Sequence, residues 1–278
     1  MTQFLRKLDD IDDRIIHVII GLSVLLPLIR PIQLPLSPSD MSMDAFEAIN
    51  SMPPGSRMFL ITEVEPTTAA ELFPQLVAVH RHAMSKGVRV IYACTSPGSP
   101  PFLTGVVNDW QEKYSYEYGK DVVILPFRAG GESVVVQIGQ NFGGLYDQDY
   151  RGDSLAGMEI MQGISDIEDV DLVVSIGGAE LYRWVVRHIQ APTGLPTIVG
   201  CTAVMTTFVV PFYSSGQFVG IISGLGGAAD YEYLAGVPGA GTSGMDAQSL
   251  GHMVLLILVA LGNISAFLLK RDSNNKGN

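Results

Sequence analysis

The residues with the best claim to chemistry are serines and glycines at the ends of apolar runs. Ser175 closes the run Val170 to Ile176 and is followed by Gly177-Gly178. A hydroxyl at a strand end beside a glycine turn is the setting for an acyl-transfer nucleophile, with free backbone N–H groups to hold an anion. The match to G-x-S-x-G is half made, because Val173 stands where the first glycine belongs. Ser96, in Thr95-Ser96-Pro97-Gly98-Ser99, offers a second hydroxyl at the end of another apolar run. Neither serine has a histidine or a carboxylate beside it in sequence to act as base.

Asp147, Asp149 and Asp153, with Gly152 between, follow part of a calcium loop, and Arg151 in a ligand position argues for a solvated acidic turn instead. Gly224-Leu225-Gly226-Gly227-Ala228-Ala229 has the spacing G-x-G-x-x-A. It sits at the end of the chain's central region with no second βαβ unit to follow, so close packing of small residues is the expectation rather than a pyrophosphate site. His80 and His82 lie two apart on a helix, hence on different faces, and form no metal pair. No cofactor is expected. Cys94 and Cys201 read as two buried small side chains, with a single bridge as the alternative.

The elements that would position these groups follow from the pattern of apolar runs. Runs at Arg57 to Val64, Val88 to Cys94, Asp121 to Phe127, Val170 to Ile176 and Thr197 to Cys201 have strand length, and Gln217 to Ser223 reads as a sixth strand or part of a helix. Amphipathic stretches lie between them, including one expected as a helix at Met158 to Ile167. This alternation predicts an α/β fold with a mostly parallel, doubly wound, Rossmann-like sheet of about five to six strands.

A net charge of −11, from 28 acidic against 17 basic residues, disfavours nucleic acid as a partner. Only 16% of residues are charged, well below the usual soluble proportion of about 25%. Part of the deficit lies at the two ends. Residues 15–36 carry one charge, Arg30, and residues 250–269 carry none. Each is long enough to be read as a transmembrane helix. Five regions follow: a cytoplasmic tail (1–14), a first span (15–36), an exoplasmic α/β domain (37–249), a second span (250–269) and a cytoplasmic tail (270–278). The orientation rests on Arg6, Lys7 and Arg14 in one tail and Lys270, Arg271 and Lys276 in the other.

The stretch from Ile189 to Ala229 also lacks charge. Its Gly, Pro, Ser and Thr content argues against a third span. The functional expectation is a membrane-anchored, non-catalytic structural or scaffold subunit, with the lipid bilayer and either further copies or other membrane proteins as partners. Phe208, Phe212, Tyr213, Gly224, Gly226, Gly227 and Asn263 are the expected contact residues, since interface cores are depleted in charge. The alternatives are a membrane-bound serine-type hydrolase built on Ser175 or Ser96, and a solute- or ion-binding receptor using the same strand ends.

Overall fold

A computed structural model describes residues 12–276, those beyond 268 by backbone alone. The described residues form two compact units, one of residues 36–241 and one joining residues 12–35 to 242–276.

The larger unit begins with α2 (Asp40–Asn50); the first described helix, α1 (Asp13–Ile29), belongs to the other unit. It continues through β1 (Arg57–Thr62), α3 (Ala69–Lys86), β2 (Arg89–Cys94), α4 (Pro100–Tyr114), β3 (Val122–Ile124) and α5 (Glu132–Leu145). After three 3-10 turns come β4 (Leu172–Gly177), α6 (Leu181–Val185), β5 (Thr197–Cys201), α7 (Thr206–Ser214), β6 (Gly220–Ser223) and α8 (Gly224–Leu234). The six strands make one sheet in the order β3-β2-β1-β4-β5-β6, every pair parallel. That order is the doubly wound arrangement, with a crevice where the winding reverses between β1 and β4. Both sheet faces are covered, so the strands are apolar at every position. In β1, Met58 and Leu60 join the core with α2, α3, α4 and α8, while Phe59 and Ile61 join the core with α5 and α6.

The stretch from Ile189 to Ala229 resolves into β5, α7, β6 and the start of α8, and much of it lies in the core. Cys94 and Cys201 are both free and buried. They stand on β2 and β5 with two strands between, about 14 Å at the usual strand spacing, beyond the reach of a disulfide. Burial pushes their thiols up to about 12 and about 11.

The helix expected at 158–167 is absent. That segment forms separate 3-10 turns at Glu159–Met161 and Ile167–Asp169, because Gly163 between them sits at φ +77° and ends the first. The last helix of this half also departs from regularity. After α6 the chain makes a π turn, Val186–Gln190, which presses the His188 carbonyl against α5, where a Cβ on Gly139 would lie 2.1 Å from that oxygen.

Helix α2 covers the β6 end of the sheet at similarly close range. A Cβ on Gly220 would lie 2.3 Å from the Ala45 nitrogen and 2.4 Å from its Cα, backbone that cannot yield. Gly220→Ala is therefore expected to lever α2 off β6 and destabilise the unit by about 3 kcal/mol, as over-packing at a rigid contact does. Thermal unfolding of the detergent-solubilised chain measures this, and a variant that melts with the parent would disprove the contact.

The smaller unit holds α1 and, from residue 242 on, α9 (Ala240–Lys276). Asp246 on α9 accepts the N–H groups of Ile32, Gln33 and Leu34, which follow α1, at 2.8, 2.8 and 3.0 Å. Further along α9, a Cβ on Gly251 would touch Val24 of α1 at 3.3 Å. As α9 advances from 246 to 251 its partners retreat from 33 to 24, so the two helices form an antiparallel hairpin.

Residues Ala240–Leu268 of α9 have a mean hydropathy of 2.0, and among the described helices this one is long and apolar enough to cross a membrane. The first span does not extend as expected. Helix α1 has 17 residues, about 25 Å at 1.5 Å per residue, and stops at Ile29 two residues after Pro27. Residues 30–36 are not helical. Arg6 and Lys7, and the side chains of Lys270, Arg271 and Lys276, lie outside the described residues.

Candidate functional site: the carboxyl rim of the sheet

Ligands of doubly wound sheets bind at the carboxyl ends of the strands, beside the reversal of winding. Here that rim is built from the segments after β1, β2, β4, β5 and β6. The β1 segment reads Glu63-Val64-Glu65-Pro66-Thr67-Thr68. Where a dinucleotide-binding chain places glycines to admit a pyrophosphate, this one places two carboxylates.

Each carboxylate is held by a hydroxyl from the β2 segment. Thr95 Oγ1 donates to Glu63 at 2.7 Å, and Ser96 Oγ makes a short hydrogen bond to Glu65. Burial raises the Glu63 carboxyl above its usual range; the Thr95 hydrogen bond opposes that shift and the Glu65 charge adds to it. Ser99 Oγ donates to the Val64 carbonyl at 3.0 Å, which fixes the loop from beneath. On the other side of the reversal, Glu71 of α3 accepts the Ala203 N–H at 2.8 Å. Gln75 Nε2 donates to the Cys201 and Gly224 carbonyls, each at 3.0 Å, bridging the ends of β5 and β6. Its Oε1 is buried without a hydrogen-bond partner among the described residues.

The two serines read from the sequence part company here. Ser175 is wholly buried within the sheet, and its hydroxyl has no partner among the described residues. Ser96 is at the rim and has gained a carboxylate, Glu65, from 31 residues away. Gly177 and Gly178 stand at close packing contacts. A Cβ on Gly177 would meet Leu181 at 2.9 Å, and one on Gly178 would meet Thr68 at 3.2 Å. Helix α6 is five residues long at that point, and the turn carries Glu180, bonded to Arg183 at 3.0 Å. An acidic turn on so short a helix is poorly suited to an anion.

Asp149 is buried and fully engaged within its own loop and with β3's approach. Tyr118 donates to it at 2.7 Å, and the N–H groups of Arg151 and Asp153 do so at 2.8 and 2.9 Å. Asp147 and Asp153 are exposed. Among the described residues no three or more His, Cys, Asp or Glu side chains converge as metal ligands. A concavity of about 520 Å³ lies beside this loop, with Arg151 stacked 3.8 Å over Tyr118 and Arg89 bonded to Glu159 at 2.6 Å.

The expected contact residues also divide. Phe208 is 54% exposed, whereas Phe212 packs on Tyr182 and Phe218. Tyr213 donates to Asp44 of α2 at 2.5 Å, a bond that pushes its own hydroxyl up to about 12. Gly224 and Gly227 are used inside the unit, against Ala203 and Ile222, and Gly226 is half-buried. Asn263 is exposed on α9 and donates to the Val259 carbonyl of its own helix at 2.8 Å.

The sequence reading missed the rim carboxylates Glu63, Glu65 and Glu71. The available signal was the pair of acids two residues apart directly after the first strand. No known protein family matches the chain, and no curated protein matches it. Among solved structures, the glycotransferase of kitacinnamycin aligns over 68% of this chain and 42% of its own, at 16% identity and a TM-score of 0.24, too slight a likeness to bear on fold or function.

Proposed function

We propose that the chain is a membrane-anchored, non-catalytic α/β protein, serving as a structural subunit of a membrane assembly. The observation that carries the anchoring is the apolar surface of the α1/α9 hairpin. Leu25, Leu26 and Ile29 on α1 and Leu256, Val259 and Phe267 on α9 are each more than half exposed. Side chains of this kind, turned outward around a two-helix hairpin, are stable in lipid and costly in water. In this reading α1 and its apolar continuation make the first span and α9 the second. Both tails are cytoplasmic and the α/β unit is exoplasmic, in keeping with the cationic flanks.

The non-catalytic role is supported by the carboxyl rim, where Glu63, Glu65 and Glu71 are each engaged by a hydroxyl or backbone N–H of the same unit. Contacts with further copies or other membrane proteins would fall to the hairpin, where Asn263 is exposed. The specific observation favouring the rival, a serine-type hydrolase, is the Ser96–Glu65 hydrogen bond, which supplies the base absent from the sequence neighbourhood.

One preparation tests all three points. The chain is expected to stay with membranes through alkaline carbonate washing and to run in mild detergent as a species larger than one copy by light scattering. It is expected to resist labelling by a fluorophosphonate. Release by carbonate would remove the anchoring, and a clean, solitary monomer would remove the assembly role. Labelling lost in Ser96→Ala would hand the function to the hydrolase.

A further inference from the structure

The concavity of about 520 Å³ beside the Asp149 loop lies at the amino end of the sheet, away from the carboxyl rim. One wall is the segment 117–120, which leads into β3, and the other is drawn from residues 151–159. Gly119 holds the two together. At φ +85° it donates its N–H to the Val122 carbonyl at 2.7 Å, accepts the Ile160 N–H at 3.1 Å, and would bring a Cβ to 3.5 Å from Met158. Arg89, the first residue of β2, fastens Glu159 of the far wall at 2.6 Å. Both walls are therefore tied to strands before any ligand arrives.

The charges that line this cavity divide into spent and unspent. Glu159 is taken by Arg89, and Glu117 faces Lys120 at 3.8 Å. Arg151 and Asp153 form no ion pair among the described residues, with each other or with any other group. Both are nevertheless held in place. The Arg151 guanidinium lies 3.8 Å over the Tyr118 ring and 5.3 Å from the Tyr150 ring, and its Nε donates to the Tyr150 hydroxyl at 3.0 Å. That fixes the plane of the fork and leaves its two terminal NH2 groups unbonded among the described residues. Asp153 is pinned by its backbone, its N–H donating to the Asp149 carboxylate and its carbonyl accepting the Asp149 N–H, each at 2.9 Å. Its carboxylate takes no part in those bonds.

We propose that this cavity binds a free α-amino acid, its carboxylate on the Arg151 fork and its ammonium on Asp153. A lone anion here would meet the Asp153 carboxylate, and a lone cation would meet the Arg151 guanidinium. A ligand that carries both signs on one carbon satisfies both. The planar fork matches the two oxygens of a carboxylate, and because it is already oriented, little is lost in ordering it. The two unspent charges stand two residues apart on one tight loop, closed by the Gly152 N–H to the Asp149 carbonyl at 3.1 Å, so they suit a compact head group better than the separated ends of a peptide. The volume falls within the range of about 300 to 1,000 Å³ usual for small-ligand sites and leaves room for a side chain, with Met158 as its apolar surface. The inference concerns the α/β unit alone and does not depend on the anchoring.

The test is calorimetric titration of the full-length chain in mild detergent with each of the standard L-α-amino acids. At least one is expected to bind with one site per chain. Its N-acetyl derivative and its decarboxylated amine are each expected to bind about tenfold more weakly or worse, since each loses a bond between charged groups. Asp153→Asn and Arg151→Lys are expected to weaken the free acid by a similar factor, the lysine because it keeps the charge and loses the fork. Asp153→Asn preserves the backbone bonds of the loop and should melt with the parent, so it decides the matter if Arg151→Lys loosens the stack on Tyr118. Asp147→Asn, outside the cavity, should bind as the parent does. No binding of any amino acid at millimolar concentration would overturn the proposal. An N-acetyl derivative that binds as tightly as the free acid would overturn it in favour of a plain anion site, and an equally tight dipeptide in favour of a peptide. Unchanged affinity in Asp153→Asn would place the ligand elsewhere. None of these outcomes bears on whether the hairpin crosses a membrane.

Discussion

Taking the solubilised protein from pH 7 to pH 4 is expected to strip about 3 kcal/mol of folding stability through each of two buried histidines. His80 lies between the hydroxyls of Tyr92 and Tyr116, at 2.6 and 3.1 Å, and is wholly buried. His82, one face round on the same helix, bonds to the Tyr231 hydroxyl at 2.8 Å and stacks on Phe46 with ring centroids 4.5 Å apart. Burial pushes His80 down to about 3, and burial with the nearby Lys86 charge pushes His82 down to about 4, both from 6.5.

A histidine whose folded pKa lies below its unfolded one is bound by more protons when unfolded. Its contribution is complete above pH 6.5 and is lost as the pH falls toward the folded value. The slope is about 1.4 kcal/mol per pH unit for each group. Glu63, whose carboxyl is raised, works in the opposite sense and recovers part of the loss. Chemical denaturation at a series of pH values measures the sum, and His82→Gln should halve the slope between pH 6 and pH 4. A flat profile over that interval would mean that the imidazoles are solvated and that the α3 face is not packed as described.

Those histidines show how far the sequence carries. Their spacing of two on a helix separates their faces, and the structure sends one toward β2 and α4 and the other toward α8 and α2. What spacing does not show is that both faces are buried, because that depends on two elements more than 100 residues apart in the chain, β2 and α8, meeting one helix. The sheet was legible for a related reason. Strands covered on both faces are apolar at every position, and the six runs stand out as blocks. At β3, only Val122–Ile124 pairs within a run expected at 121–127, because pairing length is set by the neighbour, which no local pattern reports.

The site was less legible. Ser175 and Ser96 look alike in sequence, each near the end of an apolar run. They differ in the depth at which the run stops pairing. Ser175 faces Ile61 on one side and Val199 on the other, within the ladder, while Ser96 follows the last paired residue of β2, Cys94. Glu65 reaches Ser96 only because β1 and β2 are parallel neighbours in register, Thr62 opposite Cys94. Residues 240–249 are mostly small, with no apolar run to mark them as helix. In the fold their size lets Gly241 lie against α8, and α9 begins at Ala240.

Asp246 is the residue on which the hairpin's geometry depends, and Asp246→Ala is expected to cost about 3 kcal/mol or more. Its carboxylate is 3% exposed and takes three backbone N–H groups from consecutive residues. Bonds from neutral donors to a charged acceptor are worth about 1.5 to 3 kcal/mol each, and their loss would leave three donors unsatisfied in a part-buried site. The same cradle holds Gln33 at φ +58°, a left-handed conformation that a side-chain-bearing residue adopts at a cost of about 1 kcal/mol or more. Without the carboxylate, the chain after α1 has reason to relax.

Asp246→Asn retains one acceptor oxygen and turns an NH2 group toward N–H donors, so it should recover little. Gln33→Gly in the Asp246→Ala background should add little further loss, the strain having already been released. The expected signature is a lower melting temperature of the solubilised chain together with new proteolytic cleavage between residues 30 and 39. Asp147→Ala, at an exposed acid in the other unit, should show neither. If Asp246→Ala melted and resisted protease as the parent does, the two helices would be held together by their apolar contact alone, and the carboxylate would be incidental to the anchor.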